Sequence, residues 1–232
     1  MLDFSQFEYL TFDCYGTLIN WEAGIVGALR PVLAAHGAEI SDEDALRFYG
    51  ECEAEAESGE YKTYRQILEG VVEAFGRRLG FSPTVTEIHS LPQSLADWPP
   101  FPDTVEALRQ LHTRYKLAII SNVDDDLFAP TAQRLEVPFD AIITAQQAGS
   151  YKPSLNNFGV ALRRIGRPKE KILHVAQSLY HDVAPTRELG WKNVWVNRRK
   201  NQAGPGATIA ANIEPDLEVA SLQALADLAA AR

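Results

Sequence analysis

Apolar residues follow two different spacings along this chain, and the switch between them divides it. Residues 9–12 are a short aromatic and β-branched run of the kind that fills a buried strand; the run stops at Asp13, and Gly16 follows in a tight loop. From 20 to 98 the spacing is helical. A helix over 21–36 gathers Ile25, Leu29, Val32 and Leu33 on one side, with Pro31 predicting a kink and Gly37 a stop. Ser41 opens a second helix reaching about Glu57, with Asp44 at the capping-box position. Glu51, Glu53, Glu55 and Glu57 near its end oppose the helix macrodipole, so this end is expected to fray or to face other groups. A third helix over 61–79 carries Ile67, Val71, Val72 and Phe75, and Ser82-Pro83 opens a fourth that ends near Trp98.

A stiff connector, Asp97-Trp-Pro-Pro-Phe-Pro-Asp103, has the composition of a hinge. After it, strands and helices alternate. Helices are expected over 103–115, 125–135 and 156–165, from about His181, and at the C-terminus. Strands are expected over 116–122, 141–144, 172–176 and 193–196, and a glycine- and proline-bearing loop over 201–206. This alternation predicts an α/β fold, a Rossmann-like doubly wound parallel sheet covered on both faces. The first strand belongs to that sheet, so residues 1–17 and 100–232 form the core and 18–99 an all-helical insertion.

Composition narrows the function classes. Hydrophobic residues at 46% and charged residues at 23% describe a soluble globular chain. A net charge of −9 argues against nucleic acid or an anionic membrane as partner. Cys14 and Cys52 make neither a disulfide framework nor a metal-binding spacing, which predicts a reducing, cytoplasmic setting. No signal peptide and no run of about 18 apolar residues is visible.

Polar residues gather at the strand ends: Asp13, then Ser121-Asn122, then Lys152, then Gln177, Ser178 and Asp182. Each alone has an ordinary explanation as a cap, a turn residue or a solvated lysine. In a parallel sheet, however, the carboxyl ends of the strands share one crevice, where ligands bind. There Asp13 is a candidate nucleophile, and Lys152 a cation that favours its ionised form. Thr17, Ser121 and Asn122 are donors for an anionic substrate, and Asp182 is a second carboxylate to position water.

Asp13-Cys-Tyr-Gly-Thr17, Ser121-Asn122, Tyr151-Lys-Pro153 and the segment 177–182, in this order, resemble the four motifs of the haloacid dehalogenase-like hydrolase superfamily. The resemblance covers nearly the whole chain and implies that 18–99 is the family's cap; the hinge-like Pro99, Pro100 and Pro102 predict that it closes over substrate. It makes Asp13 the nucleophile, has Ser121 bind the substrate anion and has Lys152 stabilise the charged groups. The phosphatase branch carries an Asp where this chain has Tyr15 and a metal-serving carboxylate where it has Gln177. Asp-x-Tyr-Gly-Thr instead resembles the L-2-haloacid dehalogenase branch, which works without metal or other cofactor on a small anionic substrate and forms an aspartyl ester. The substrate contacts so implied are Tyr15, Thr17, Ser121, Asn122, Gln177 and Ser178. Arg47 is the best match for the family's halide-cradling cap arginine, with Arg65 the other candidate. Two departures stand out: Gln177-Ser178-Leu179 replaces Ser-Ser-Asn, and Phe158 stands where a tyrosine is usual. The alternatives are a phosphatase acting on a small phosphorylated metabolite with Mg²⁺, and a non-catalytic binding protein on the same fold. The resemblance also allows a homodimer.

Overall fold

Residues Tyr9–Phe12 form β1, all four of them buried, with parallel neighbours on both sides. The computed structural model describes residues 2–202, 204 and 206–231, so Ala203 and Pro205 of the expected loop over 201–206 lie outside the described residues. The other strands are β2 (Lys116–Ser121), β3 (Ala141–Thr144), β4 (Ile172–Ala176), β5 (Lys192–Val196) and β6 (Leu217–Val219). They make one all-parallel sheet in the order β3-β2-β1-β4-β5-β6. The order reverses beside β1, the topological switch point where doubly wound sheets bind ligands.

Alternate residues of each strand serve opposite layers. Leu10, Phe12, Leu117, Ile119, Leu173 and Val175 join the larger core, and Tyr9, Ala118, Ile120, Ile143 and Ile172 a smaller one. Helices α6 (Thr104–His112) and α11 (Leu222–Ala230) bury Leu108, Leu111, Leu222 and Leu225 in the larger core, and α9 (Leu155–Ile165) buries Phe158, Ala161 and Ile165 in the smaller. Phe158 packs edge-on against His174 and Trp191, so this departure from the family pattern is a core residue. The remaining helices of this half are α7 (Asp125–Arg134), α8 (Ala145–Ala148) and α10 (Ala184–Glu188). Between β4 and α10, residues Leu179–Val183 wind as a single π turn, a form that concentrates at functional sites.

The helices between β1 and Trp98 have boundaries that differ from those expected. Helix α1 (Trp21–Ala35) runs on through Pro31, because Gly27, whose carbonyl loses its partner, lies exposed to solvent. Helix α2 (Asp42–Glu57) starts at Ser41, whose hydroxyl accepts from the Asp44 amide. Helix α3 (Tyr64–Leu79) opens three residues later than expected, where Thr63 and Gln66 form a capping box, and it ends at left-handed Gly80. The expected fourth helix divides into α4 (Val85–Ile88) and α5 (Ser90–Ser94), since Pro92 has no N–H for the Ile88 carbonyl.

The chain segments on either side of these helices run beside each other. Asn20 N–H donates to Pro99 O at 2.8 Å, Phe101 N–H donates to Leu18 O at 3.0 Å, and Ile19 bridges Pro100. Trp98 packs against Gly24, where an added Cβ would sit 2.3 Å from the indole ring. Gly24→Ala is therefore expected to lower stability by about 1–3 kcal/mol through overpacking. Urea denaturation reads this directly; an unchanged midpoint would contradict this packing.

Two expectations at element ends need correction. Asp103 precedes α6 without a side-chain cap bond; its carboxylate instead accepts from Arg198 and from the amides of Leu222 and Gln223. The edge strand β6 escaped the sequence reading, because three residues with an exposed Glu218 in the middle are too short to show a period. Among the described residues no helix is long and apolar enough to cross a membrane.

Candidate active site

The buried apolar run of β1 delivers Asp13 to the carboxyl edge of the sheet, and positive φ at Gly16 (92°) turns the chain sharply back. A Cβ at Gly16 would meet the Trp21 indole nitrogen at 3.0 Å, so glycine is required twice over. Thr17 then faces Asp13: its hydroxyl donates to Asp13 Oδ2 at 2.6 Å and accepts from the Gln177 amide at 2.8 Å. Thr17 thus ties the loop after β1 to the loop after β4.

Lys152 is the centre of the arrangement. Its ammonium has three protons, and all three are used: on Asp13 Oδ1 at 2.9 Å, Asp182 Oδ1 at 2.7 Å and Ile120 O at 2.9 Å. The side chain is 2% exposed, so these bonds are not shared with solvent. Asn122 fixes the lysine's backbone, accepting from Lys152 N–H at 2.7 Å and donating to Lys152 O at 3.1 Å. The π turn presents Asp182, whose Oδ1 also bonds His174 Nε2 at 2.9 Å, and His174 Nδ1 bonds Thr11 Oγ1 at 2.9 Å. His174 points inward from β4 and positions Asp182. Apolar neighbours on either side gave the sequence no mark for it.

Asp13, Tyr15, Ser121, Asn122, Lys152, Gln177, Ser178 and Asp182 all line one cavity of about 30 Å³. The structure therefore brings together every strand-end residue singled out in the sequence, with Thr17 directly behind Asp13. Some are committed elsewhere. The Tyr15 hydroxyl shares a 2.9 Å hydrogen bond with Thr131, Gln177 Oε1 accepts from Thr208, and Ser178 Oγ accepts from the His181 amide at 2.9 Å. Among the described residues, Ser121 Oγ and Asp182 Oδ2 are buried and have no hydrogen-bond partner.

Arg47 does not join the cavity. It lies on the outer face of α2, 2.6 Å from Asp44 and 4.0 Å from Glu51. Arg65 pairs with Asp126 at 2.6 Å, also outside. The insertion contributes acids instead of a base: Glu53 and Glu57, one turn apart on α2, line the cavity together with Tyr64. Tyr49 and Tyr64 both donate to Glu53 Oε1, at 2.8 and 2.6 Å, and Asn122 Nδ2 lies 3.2 Å from each Glu57 oxygen. The sequence signal for this pair was the acidic run at the end of α2. Of the two expected outcomes the structure shows the second: Glu53 and Glu57 face inward while Glu51 and Glu55 stay in solvent.

Burial dominates the electrostatics. It raises Asp13 above the ordinary carboxylate range, with Lys152 pulling the other way and Asp182 adding to the rise. Asp182 is buried too, but Lys152 and the His174 bond outweigh that, and its carboxyl lies below its usual value. Burial works against the Lys152 charge, yet its two carboxylates win and hold the ammonium above its usual range. Desolvation pushes Glu53 up to about 7 and Glu57 well above its ordinary value, and drops His181 to about 4. A carboxyl raised on folding stabilises the native state fully below its unfolded value and loses that contribution as pH rises through the folded one. Stability should thus decline between about 4.5 and about 7 as Glu53 ionises. Glu53→Gln, which keeps an acceptor for both tyrosines, is expected to flatten that decline by a few kcal/mol. Denaturant midpoints at pH 5 and pH 8 test this; an identical decline in the variant would contradict it.

The donor set does not fit Mg²⁺. Among the described residues no group of three or more acidic, histidine or cysteine side chains is placed to hold a metal ion. Asp13 and Asp182 are bridged by the Lys152 ammonium, and the amide of Gln177 stands where a further anionic oxygen would be needed.

The chain is similar to several known proteins. Residues 7–190 match the family model of the haloacid dehalogenase-like hydrolases. The chain is 26% identical over 196 residues to a (S)-2-haloacid dehalogenase of Pseudomonas fluorescens, covering 81% of this chain and 83% of that protein. It is 24% identical over 200 residues to a glyceraldehyde 3-phosphate phosphatase of Methanocaldococcus jannaschii, covering 82% and 85%. Among solved structures, the L-2-haloacid dehalogenase of Xanthobacter autotrophicus with chloropropionic acid covalently bound superposes with a TM-score of 0.79 at 19% identity, over 96% of this chain and 98% of that one.

Proposed function

The chain belongs to the haloacid dehalogenase-like hydrolases, and from that premise we propose that it hydrolyses the carbon–halogen bond of a small 2-haloalkanoic acid, giving the 2-hydroxy acid. The observation that carries this is the Asp13–Lys152–Asp182 arrangement at the switch point of the sheet. Asp13 attacks C2, and the halide leaves with the bonding pair, producing an aspartyl ester. Ionising Asp13 in a buried site relies on Lys152 and on the Thr17 hydroxyl. Asp182 Oδ2, unpartnered on the cavity wall, holds the water that adds to the ester carbonyl and frees the product. Ser121 Oγ, likewise unpartnered, takes the substrate carboxylate.

Tyr15 separates this reading from a phosphatase. An oxygen leaving group needs a proton donor beside Asp13, and the Tyr15 hydroxyl is turned to Thr131 with its pKa raised well above its usual value by burial. A halide needs no proton. The relative named (S)-2-haloacid dehalogenase supports the same choice. The segment 18–99 acts as a cap: a cavity of about 30 Å³ holds roughly one water, so substrate enters by opening at Pro99–Pro100, and closure excludes bulk water.

Chloride release from 2-chloropropionate in EDTA tests the proposal, alongside phosphate release from p-nitrophenyl phosphate with Mg²⁺. Metal-independent chloride release is expected. Mg²⁺-dependent phosphate release without chloride would refute it.

A further inference from the structure

The wall that α2 contributes to the cavity has the wrong sign for a plain haloacid. Glu53 and Glu57 line it, and among the described lining residues the one permanently charged base is Lys152, whose protons are already taken by Asp13, Asp182 and Ile120 O. Both glutamates nonetheless sit among donors. The Tyr49 and Tyr64 hydroxyls point at Glu53, and the Asn122 amide points at Glu57. The Asn122 NH2 is a donor only and so solvates an ionised Glu57, while the tyrosine hydroxyls, which donate or accept, can serve either form of Glu53. The one basic nitrogen near Glu57, His181 Nε2, is 3.8 Å away, beyond hydrogen-bond range, and has no partner of its own. Among the described residues, then, no cation lies within hydrogen-bond range of either carboxyl, and burial keeps them from ionising alone. Independently, Ser121 Oγ and Asp182 Oδ2 are fully buried on the same cavity and unsatisfied, which marks it as built for a polar ligand.

We infer that the substrate is a zwitterion: a small 2-haloacid whose far end carries an ammonium group that pairs with Glu53 and Glu57, while its carboxylate lies at Ser121. This rests on the displacement reading above for the end facing Asp13. The ammonium supplies the missing counter-ion, and its N–H groups meet carboxylate oxygens already oriented by Tyr49, Tyr64 and Asn122. An ammonium at this wall pairs the two buried carboxylates, whereas an alkyl group in the same place leaves them unpaired, and it is the unpaired buried group that costs most.

Calorimetry on the full chain tests this without turnover, using two nearly isosteric 2-hydroxy acids, 4-amino-2-hydroxybutanoate and 2-hydroxypentanoate. The amino compound is expected to bind at least about tenfold tighter. In Glu57→Gln and Glu53→Gln that preference, taken as the ratio of the two affinities within each variant, should fall to about twofold or less. Equal or weaker binding of the amino compound to the wild type would overturn the inference, as would a preference kept in both variants. The halide assay keeps the two readings apart. An ammonium preference without halide release from any 2-chloro acid refutes the displacement chemistry and supports the charge assignment. Halide release from 2-chloropropionate with no ammonium preference refutes the charge assignment alone.

Discussion

Asp13→Asn is expected to reduce turnover by at least about four orders of magnitude while leaving the fold intact. An amide is a far poorer nucleophile than a carboxylate, and no other side chain near it can take over. Asp182 is held by Lys152 and His174, and the Cys14 thiol is pushed up by burial and by the neighbouring Asp13, so it is not available as a thiolate. The fold should hold, because Asn keeps an oxygen for the Thr17 hydroxyl or the Lys152 ammonium. Circular dichroism and steady-state halide release read the two halves of this prediction. Residual turnover within a hundredfold of the wild type would remove Asp13 from the role.

Lys152→Met is expected to be the most damaging single change to stability. Methionine fills much of the lysine's volume but leaves Asp13 and Asp182 facing each other, buried, with no cation. Removing one partner of such a group costs about 3–5 kcal/mol at neutral pH. The sign with pH follows from linkage. Without the ammonium both carboxyls rise in the folded state, so the loss is largest at high pH and shrinks as the pH falls toward about 4. Denaturant titrations across that window measure it, and a pH-independent loss would mean that packing, not charge, is what Lys152 supplies.

The sequence showed the frame of the site more clearly than its far wall. Asp13, Lys152 and Asp182 were legible because each follows an apolar strand, and parallel strands bring their carboxyl ends together whatever the loops do. Thr17, Ser121 and Asn122 came with them. The acidic wall was not legible in the same way. Whether Glu53 or Glu55 faces inward depends on how α2 rolls against α3 and the sheet, which a run of alternating glutamates cannot fix. Arg47 was attractive as a cation in the insertion, yet it is three residues from Asp44 and four from Glu51 on its own helix, and those local partners hold it on the surface. His174 is hidden for a different reason: a histidine in a buried strand looks like core until its partner Asp182, eight residues on, is placed beside it by the π turn. Helix ends shifted wherever a capping box or a proline decided the boundary, as at Thr63 and Pro92.

The covalent role of Asp13 is tested most directly by a single turnover of 2-chloropropionate in ¹⁸O water with enzyme in excess, followed by mass spectrometry of product and of the peptide containing Asp13. Attack by Asp13 followed by hydrolysis at the ester carbonyl predicts an unlabelled 2-hydroxy acid in the first turnover and ¹⁸O in the Asp13 carboxylate. ¹⁸O in the first-turnover product with none in Asp13 would mean that water attacks carbon directly, and would contradict the account.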